Sequence, residues 1–525
     1  MAIRLRNLTL EPDEPDARLR EKAATELGLP PELITQLQVA RRSLDARGRH
    51  LRFVYTVILT LSDPSAEADV VQKGKAAAVE IPEAIRPAPG SEEVRGRVVV
   101  AGCGPAGLFA GLQLARLGYR PLLVERGAPI AERHADVSAF LANRELNPDS
   151  NVLFGAGGAG TYSDGKLHSR IRDSRVRHVL ETFVRAGAPG DLLIDAKPHV
   201  GTDLLHGVVA NMCRDFVSLG GEIRWRTRLT GLTVQGGRVQ AVKTGHETIE
   251  TNCLIPATGA NARDTFAALL DSGLAMEPKP FQMGLRIEHP RELIDRAIYG
   301  PLAGHVRLGA ADYVLSARAV TAFCVCPGGV LVAACCEPGA VCTNGMSGHA
   351  RDSEFTNAAL VTTVSPEEFG AGPLAGLEYQ RRWENSAFRL GGEDYSVPAQ
   401  NAPDFLSRKV RPLGRRTSYP LGARPARLET VVPGAVGAAI AQALPDFERR
   451  IRGFAGDAGI LVGPEARASC PVRIARDPKR RVSVSVDGVY PAGEGSGYSS
   501  GIMSSAVDGL KAAEAVILRF AVPRY

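Results

Sequence analysis

The stretch "RVVVAGCGPAGLFAGLQLARLGYRPLLVERG" constrains this chain more than any other. The β-branched run Val98, Val99, Val100 leads into Gly102-x-Gly104-x-x-Gly107, and a helical segment follows. A second apolar strand then ends at Glu125, 18 residues beyond Gly107. Each part has a physical task. Gly102 permits a tight turn, Gly104 lets backbone approach a pyrophosphate, and Gly107 lets helix and strand pack closely. The helix start then offers free N–H groups and a positive dipole end to phosphates. Glu125 stands where it can accept hydrogen bonds from the adenosine ribose hydroxyls. The spacing predicts a dinucleotide site.

Around this unit the chain divides by pattern. Residues 1–88 read as a small α/β module, with "IRLRNLTL" alternating like a strand, "ARLREKAATELG" helical and "LRFVYTVILTL" β-branched. Residues 89–96 read as a linker. Residues 97–280 and 466–525 alternate strand and helix as a doubly wound domain does. Residues 281–465 lose that alternation and read as an inserted α+β domain, the place for a substrate.

At 525 residues with 44% hydrophobic and 23% charged content, several domains with full cores are affordable. The N-terminal "MAIRLRNLTLEPDEPD" carries charge where a signal peptide needs an apolar run, and apolar stretches elsewhere are broken well short of ~20 residues. The expectation is a cytoplasmic protein without a membrane span. The run Arg41, Arg42, Arg47, Arg49 and Arg52 invites a nucleic-acid reading. Residues 1–90 nevertheless hold 13 Lys and Arg against 13 Asp and Glu, so nucleic acid is not the expected partner.

Two more segments bear on the cofactor. "NVLFGAGGAGTYSDGKLHSR" contains a second glycine repeat without the strand, helix or acid of a Rossmann unit, so it reads as a loop lying against a flat or anionic ligand. "TNCLIPATGANARD" is a strand ending at Thr258-Gly259. "GVYPAGEGSGYSSGIMSSAVDGLKAAEAV" is a strand, a Gly493-Glu494 turn, a glycine-rich loop and a helix.

Together these residues resemble the FAD-binding flavoproteins of the glutathione reductase structural class. More closely, the chain resembles a bacterial family of FAD-dependent dehydrogenases, through the N-terminal module, "NPDSNVLFGAGGAGTYSDGKL", "CPGG", "EPG", "TNGMS", "CPVRI" and "YPAGEGSGYSSGIMSSAVDG". The resemblance implies an α/β fold, a Rossmann-type FAD-binding domain with the inserted α+β substrate domain and the small N-terminal module. It implies that FAD is held by Gly102, Gly104, Pro105, Ala106, Gly107, Glu125, Arg126 and Arg133, by Gly157, Gly158, Thr161, Asp164, Gly165 and Lys166, and by Leu229, Thr258, Gly259, Gly493, Glu494, Gly501 and Ile502. Glu494 departs mildly from the Asp usual in that class. The helix start at Gly501 to Met503 would favour negative charge on the reduced ring.

Catalytic expectations fall on Lys166, which could stabilise the reduced ring, hold an acidic substrate or simply sit in solvent, and on Tyr498, which could cover the ring or merely pack. His349, Arg351 and Asp352 could line a pocket or a surface loop. The arginine-rich stretch from Arg381 to Arg427 could draw in an anionic substrate or face solvent. No metal ligand set is expected. NAD(P)H would have to bind without a second complete fingerprint or transiently, and a separate protein donor is the other option.

Five of the nine cysteines, Cys324, Cys326, Cys335, Cys336 and Cys342, crowd into "FCVCPGGVLVAACCEPGAVC". With no Cys-x-x-Cys spacing, they read as buried strand residues of a hairpin turning at Pro327-Gly328-Gly329 rather than a redox or metal centre. The functional expectation is an FAD-dependent oxidoreductase acting on a small molecule. An RNA-modifying flavoenzyme or a non-catalytic flavin protein are the alternatives.

Overall fold

The computed structural model describes residues 2–47, 50–79, 87–169 and 171–524. Arg49 of the basic run lies outside the described residues.

The N-terminal unit is a four-stranded sheet with two helices. Its strands run Ala77–Ala78, Ile3–Leu10, Arg52–Leu61, Ile34–Asp45 across the sheet, in the order of a split βαβ arrangement. Strict alternation along Arg52–Leu61 turns Phe53, Tyr55, Val57, Leu59 and Leu61 inward, and Leu19, Ala23, Ala24 and Leu27 of the helix Arg18–Leu27 share that core. Both aromatic residues of this strand are thus committed to the core, where no base could stack on them. The edge strand docks on the rest of the chain. Arg42 donates its N–H to Ile194 O at 2.7 Å and accepts from Ala196 N at 2.8 Å.

The stretch read as a linker is fastened down. Gly90 and Glu92 donate to Ile517 O and Arg519 O at the end of the last helix, and Glu92 accepts from Ala521 N. It runs beside that helix as a strap.

A four-stranded parallel sheet forms the centre, in the order Leu254–Pro256, Val99–Ala101, Leu122–Val124, Glu222–Arg224. Three of its strands, Leu254–Pro256, Val99–Ala101 and Leu122–Val124, are buried throughout, as a sheet covered on both faces requires. The helix Pro105–Arg116 packs against the C-terminal helix Ile502–Arg519 so closely that a Cβ on Gly509 would lie 2.1 Å from Ala106 O.

The third unit is a seven-stranded sheet ordered Ser316–Ala317, Val320–Cys326, Phe355–Val364, Phe281–Pro290, Ile460–Glu465, Val397–Asn401, Ala423–Pro425, antiparallel except for its last pair. It corrects the expected cysteine hairpin. Val320–Cys326 pairs with Phe355–Val364, while Val330–Ala333 leaves to form a separate ribbon with Thr343–Met346. The physical reason lies at the turn, where Gly328 takes φ 50° and a Cβ there would sit 1.7 Å from Arg351 O. The glycine is packed against the Arg351 backbone, where a side chain would not fit, and the strand beyond it pairs with Thr343–Met346 instead.

Candidate functional site

A cleft with about 1680 Å³ of space, counting its open mouth, separates the parallel sheet from the seven-stranded sheet. Its floor begins at the fingerprint turn. Gly102 takes φ 109°, and a Cβ there would meet Ala257 O at 2.4 Å. A Cβ on Gly107 would lie 1.8 Å from Gly102 O, so this glycine serves helix-to-strand contact and does not line the cleft. Gly104 differs, because its nearest neighbour to a Cβ would be Gly158 Cα at 3.9 Å. The absent side chain leaves open space beside the start of a 12-residue helix, with Pro105 and Ala106 also on the wall.

Glu125 organises the next wall. One carboxylate oxygen accepts the N–H of Cys103 at 2.7 Å, and the other accepts Gly127 N at 2.9 Å and Gly155 N at 3.0 Å. Three backbone donors fix the acid to the fingerprint and to the glycine loop, leaving one acceptor site for a ligand, on the oxygen that Cys103 holds. Arg126 lines the cleft beside it, held by Asp264 at 2.6 Å and lying 4.4 Å from the ring centroid of Phe154.

The glycine loop takes φ 118°, 79° and 62° at Gly155, Gly157 and Gly158, conformations that side-chain-bearing residues rarely adopt. Arg133 stands behind it, fully buried, and donates to Asn151 O at 2.9 Å and to Ala156 O at 2.5 Å. Burial pushes its guanidinium down to about 10. Arg133 therefore braces the loop from outside the cleft. Gly157 and Thr161 also sit off the main cleft, on a small apolar void beside Val209. Gly158, Asp164, Gly165 and Lys166 do line it, as do Leu229, Thr258, Gly259, Gly493, Glu494, Gly501 and Ile502.

Asp164 is occupied. Arg351 holds both of its oxygens, at 3.0 and 2.6 Å, and Ser347 donates to it. Burial works to raise its pKa, but Arg351 and Lys166 outweigh it and keep the carboxyl below its ordinary range. Lys166 donates to Val325 O and, among the described residues, has no carboxylate within ion-pair distance. Burial lowers the pKa of the nearby His168 and His199, so neither adds charge at neutral pH. His349 stacks on His199 at 5.3 Å and, like Arg351 and Asp352, stays off the cleft wall.

At the far end the 18-residue C-terminal helix starts at the cleft, with Gly501 at φ 77° before it. Glu494 accepts from Gly501 N at 3.3 Å, and burial raises its pKa. Tyr498 is exposed and packs on Arg476, whose guanidinium carbon lies 4.1 Å from its ring centroid. It takes no part in the cleft wall.

The opposite wall comes from the seven-stranded sheet and the ribbon strand Thr343–Met346, in the domain read as the place for a substrate, though its residues are not among the expected site residues. Phe323, Cys324, Cys326, Cys342, Asn344, Glu465 and Arg467 face the cleft. Cys324 takes φ 45° at a bulge in its strand. Cys324 is exposed, against the expectation of a buried strand residue, because this bulge turns it out to the cleft; burial pushes the thiol of Cys335 up to about 12, and all nine cysteines are free. The wall's charges are paired from behind. Arg286 grips Glu465 at 2.7 and 2.9 Å, and Glu384 grips Arg467 and Arg263. The signals for this wall in the sequence are the cysteine stretch with its "CPGG" motif and the "TNGMS" motif that contains Asn344, but nothing in them shows what they face.

These features coincide with the comparisons. Residues 280–468 match the family model described as "FAD-dependent protein, C-terminal domain-like", and residues 2–60 match a domain of unknown function, DUF8436. The first match falls on the unit that carries the seven-stranded sheet. A protein of Clostridium beijerinckii described as uncharacterized is 41% identical over 534 residues, covering 100% of both chains, and this chain belongs to the same family. Among solved structures, CtdE in complex with FAD covers 80% of this chain and 82% of its own at 11% identity and a TM-score of 0.30. Glycine oxidase from Bacillus cereus covers 80% and 95% at 10% identity and a TM-score of 0.31. Likenesses this slight carry no argument about activity. No described helix is long and apolar enough to cross a membrane.

Proposed function

We propose that the protein is an FAD-dependent oxidoreductase that acts on a small anionic molecule held between the parallel sheet and the seven-stranded sheet. The observation that carries this reading is the cleft itself, where Gly104, the Pro105 helix start, Glu125 and the Gly501 helix start all face one open space. The residues fit the cofactor. A Cβ on Gly104 would project into that space, and two helix N-termini present unpaired N–H groups to it.

FAD, when bound, supplies the hydride chemistry. The fingerprint turn and helix would hold its pyrophosphate, and Glu125 its adenosine ribose. Thr258, Gly259, Gly493 and Glu494 would flank the remainder. Lys166 contributes a positive charge that no carboxylate neutralises at ion-pair distance among the described residues, and this suits an anionic substrate group or a reduced ring. The opposite wall adds little net charge, since Glu465 and Arg467 are each matched.

The test is anaerobic. FAD-loaded protein is mixed in turn with NADH, NADPH and a panel of small carboxylates while the flavin band is followed. Bleaching by any of them supports an oxidoreductase. A flavin bleached by none of them, and not reoxidised by oxygen after dithionite reduction, marks a flavin carrier and overturns the reading.

A further inference from the structure

Cys103 stands inside the fingerprint, between Gly102 and Gly104, and its sulfur lies 3.9 Å from that of Cys213 on the helix Thr202–Ser218. Cys103 is a junction. Its N–H reaches Glu125 at 2.7 Å and its carbonyl accepts Gly157 N at 2.8 Å, so one residue joins the turn, the acid and the glycine loop. The same helix braces that loop through Val209, which a Cβ on Gly157 would meet at 2.8 Å. Cys213 is only half-buried and so gives an oxidant a way in.

We propose that Cys103 and Cys213 form an oxidative cross-linking site, at which peroxide joins the fingerprint turn to the helix Thr202–Ser218. The chemistry balances with hydrogen peroxide as the oxidant. Cys213 releases its proton to solvent, its thiolate attacks one peroxide oxygen, the O–O bond breaks, and hydroxide leaves and takes up that proton as water, with a sulfenic acid left on Cys213. The Cys103 sulfur then attacks the Cys213 sulfur, the S–O bond breaks, and hydroxide leaves with the Cys103 proton as a second water. Two thiols are oxidised and one peroxide is reduced. The contact with Cys213 and full burial both hold the Cys103 thiol protonated, which makes the second step the slow one.

A disulfide needs its sulfurs at about 2.05 Å, so closure draws Cys103 towards the helix by a substantial part of the present gap. That movement pulls on the bonds to Glu125 and Gly157, and the expected consequence is weaker grip on the dinucleotide. Only this consequence rests on the proposed cofactor reading; the cross-link itself does not.

The full chain is treated with hydrogen peroxide, alkylated and digested without reductant. The expected result is a peptide pair joined through Cys103 and Cys213, lost on dithiothreitol treatment and absent from Cys213→Ser and Cys213→Ala. Oxidised wild type should bind FAD about tenfold more weakly, a change missing from both variants. Recovery of Cys103 alkylated while Cys213 is oxidised to sulfinic acid would overturn the cross-link. An equal loss of FAD affinity in the variants would overturn its consequence.

Discussion

Lys166 reaches out from the glycine loop to donate to the carbonyl of Val325, joining the floor of the cleft to the sheet opposite. Its chain neighbour Gly165 is held at φ 68°, which sends the lysine across the gap. The contact fixes the ammonium where any ligand in the cleft meets it.

Lys166→Met should therefore weaken small anions in the cleft and lower the reduction potential of bound FAD, while Lys166→Arg keeps part of both. Benzoate titration of the flavin spectrum and a dye-equilibrated potential measure the two. A loss of about tenfold in benzoate affinity corresponds to one screened charge contact. An unchanged potential would place Lys166 away from the ring.

Gly104 and Gly107 should respond differently to one methyl group. Gly104→Ala meets no protein atom closer than 3.9 Å, so the apoprotein should fold and melt as wild type does while FAD affinity falls by at least about tenfold. Gly107→Ala collides with Gly102 O, so the fold itself should suffer. Thermal melts with and without added FAD separate the two.

Glu384 predicts an acid-dependent share of stability. Burial works to raise its pKa, but Arg467 and Arg263 outweigh it and hold the carboxyl at about 2, against 4.5 for the free group. A depressed acid stabilises the fold above its unfolded pKa, and that share is lost as pH falls from about 4.5 towards 2. Glu384→Gln leaves two buried arginines short of a partner and should cost roughly 3 kcal/mol or more at neutral pH. In urea unfolding, the gap between wild type and variant should close as pH drops through this window.

Tyr498→Phe keeps the ring on Arg476 and should leave FAD affinity and reduction within about twofold of wild type, a difference worth only a few tenths of a kcal/mol. Stopped-flow reduction checks this, and a large loss would return the hydroxyl to the chemistry.

The floor of the cleft was legible because its chemistry is written in contiguous residues. Gly102 to Gly107, Glu125 and Gly493-Glu494 carry their spacing in the chain, and the turn and helix start they announce are local structures. The opposite wall was not legible, because Cys324, Asn344 and Glu465 reach it from three strands whose order follows from long-range pairing. The cysteine stretch shows the same limit. Its strands alternate as a hairpin does, yet each finds its partner elsewhere, Val320–Cys326 on Phe355–Val364 and Val330–Ala333 on Thr343–Met346. Arg133 was read towards the cofactor because the sequence cannot tell an arginine facing a cleft from one bracing it from behind.

The proposed function depends on FAD occupying the cleft. The most direct measurement is the absorbance spectrum of the purified protein, with chromatography of whatever heat releases from it. The account predicts a yellow protein that releases FAD at close to one molecule per chain, or takes it up when added, and that loses this with Gly104→Ala. A colourless wild-type protein that takes up no added FAD would contradict it.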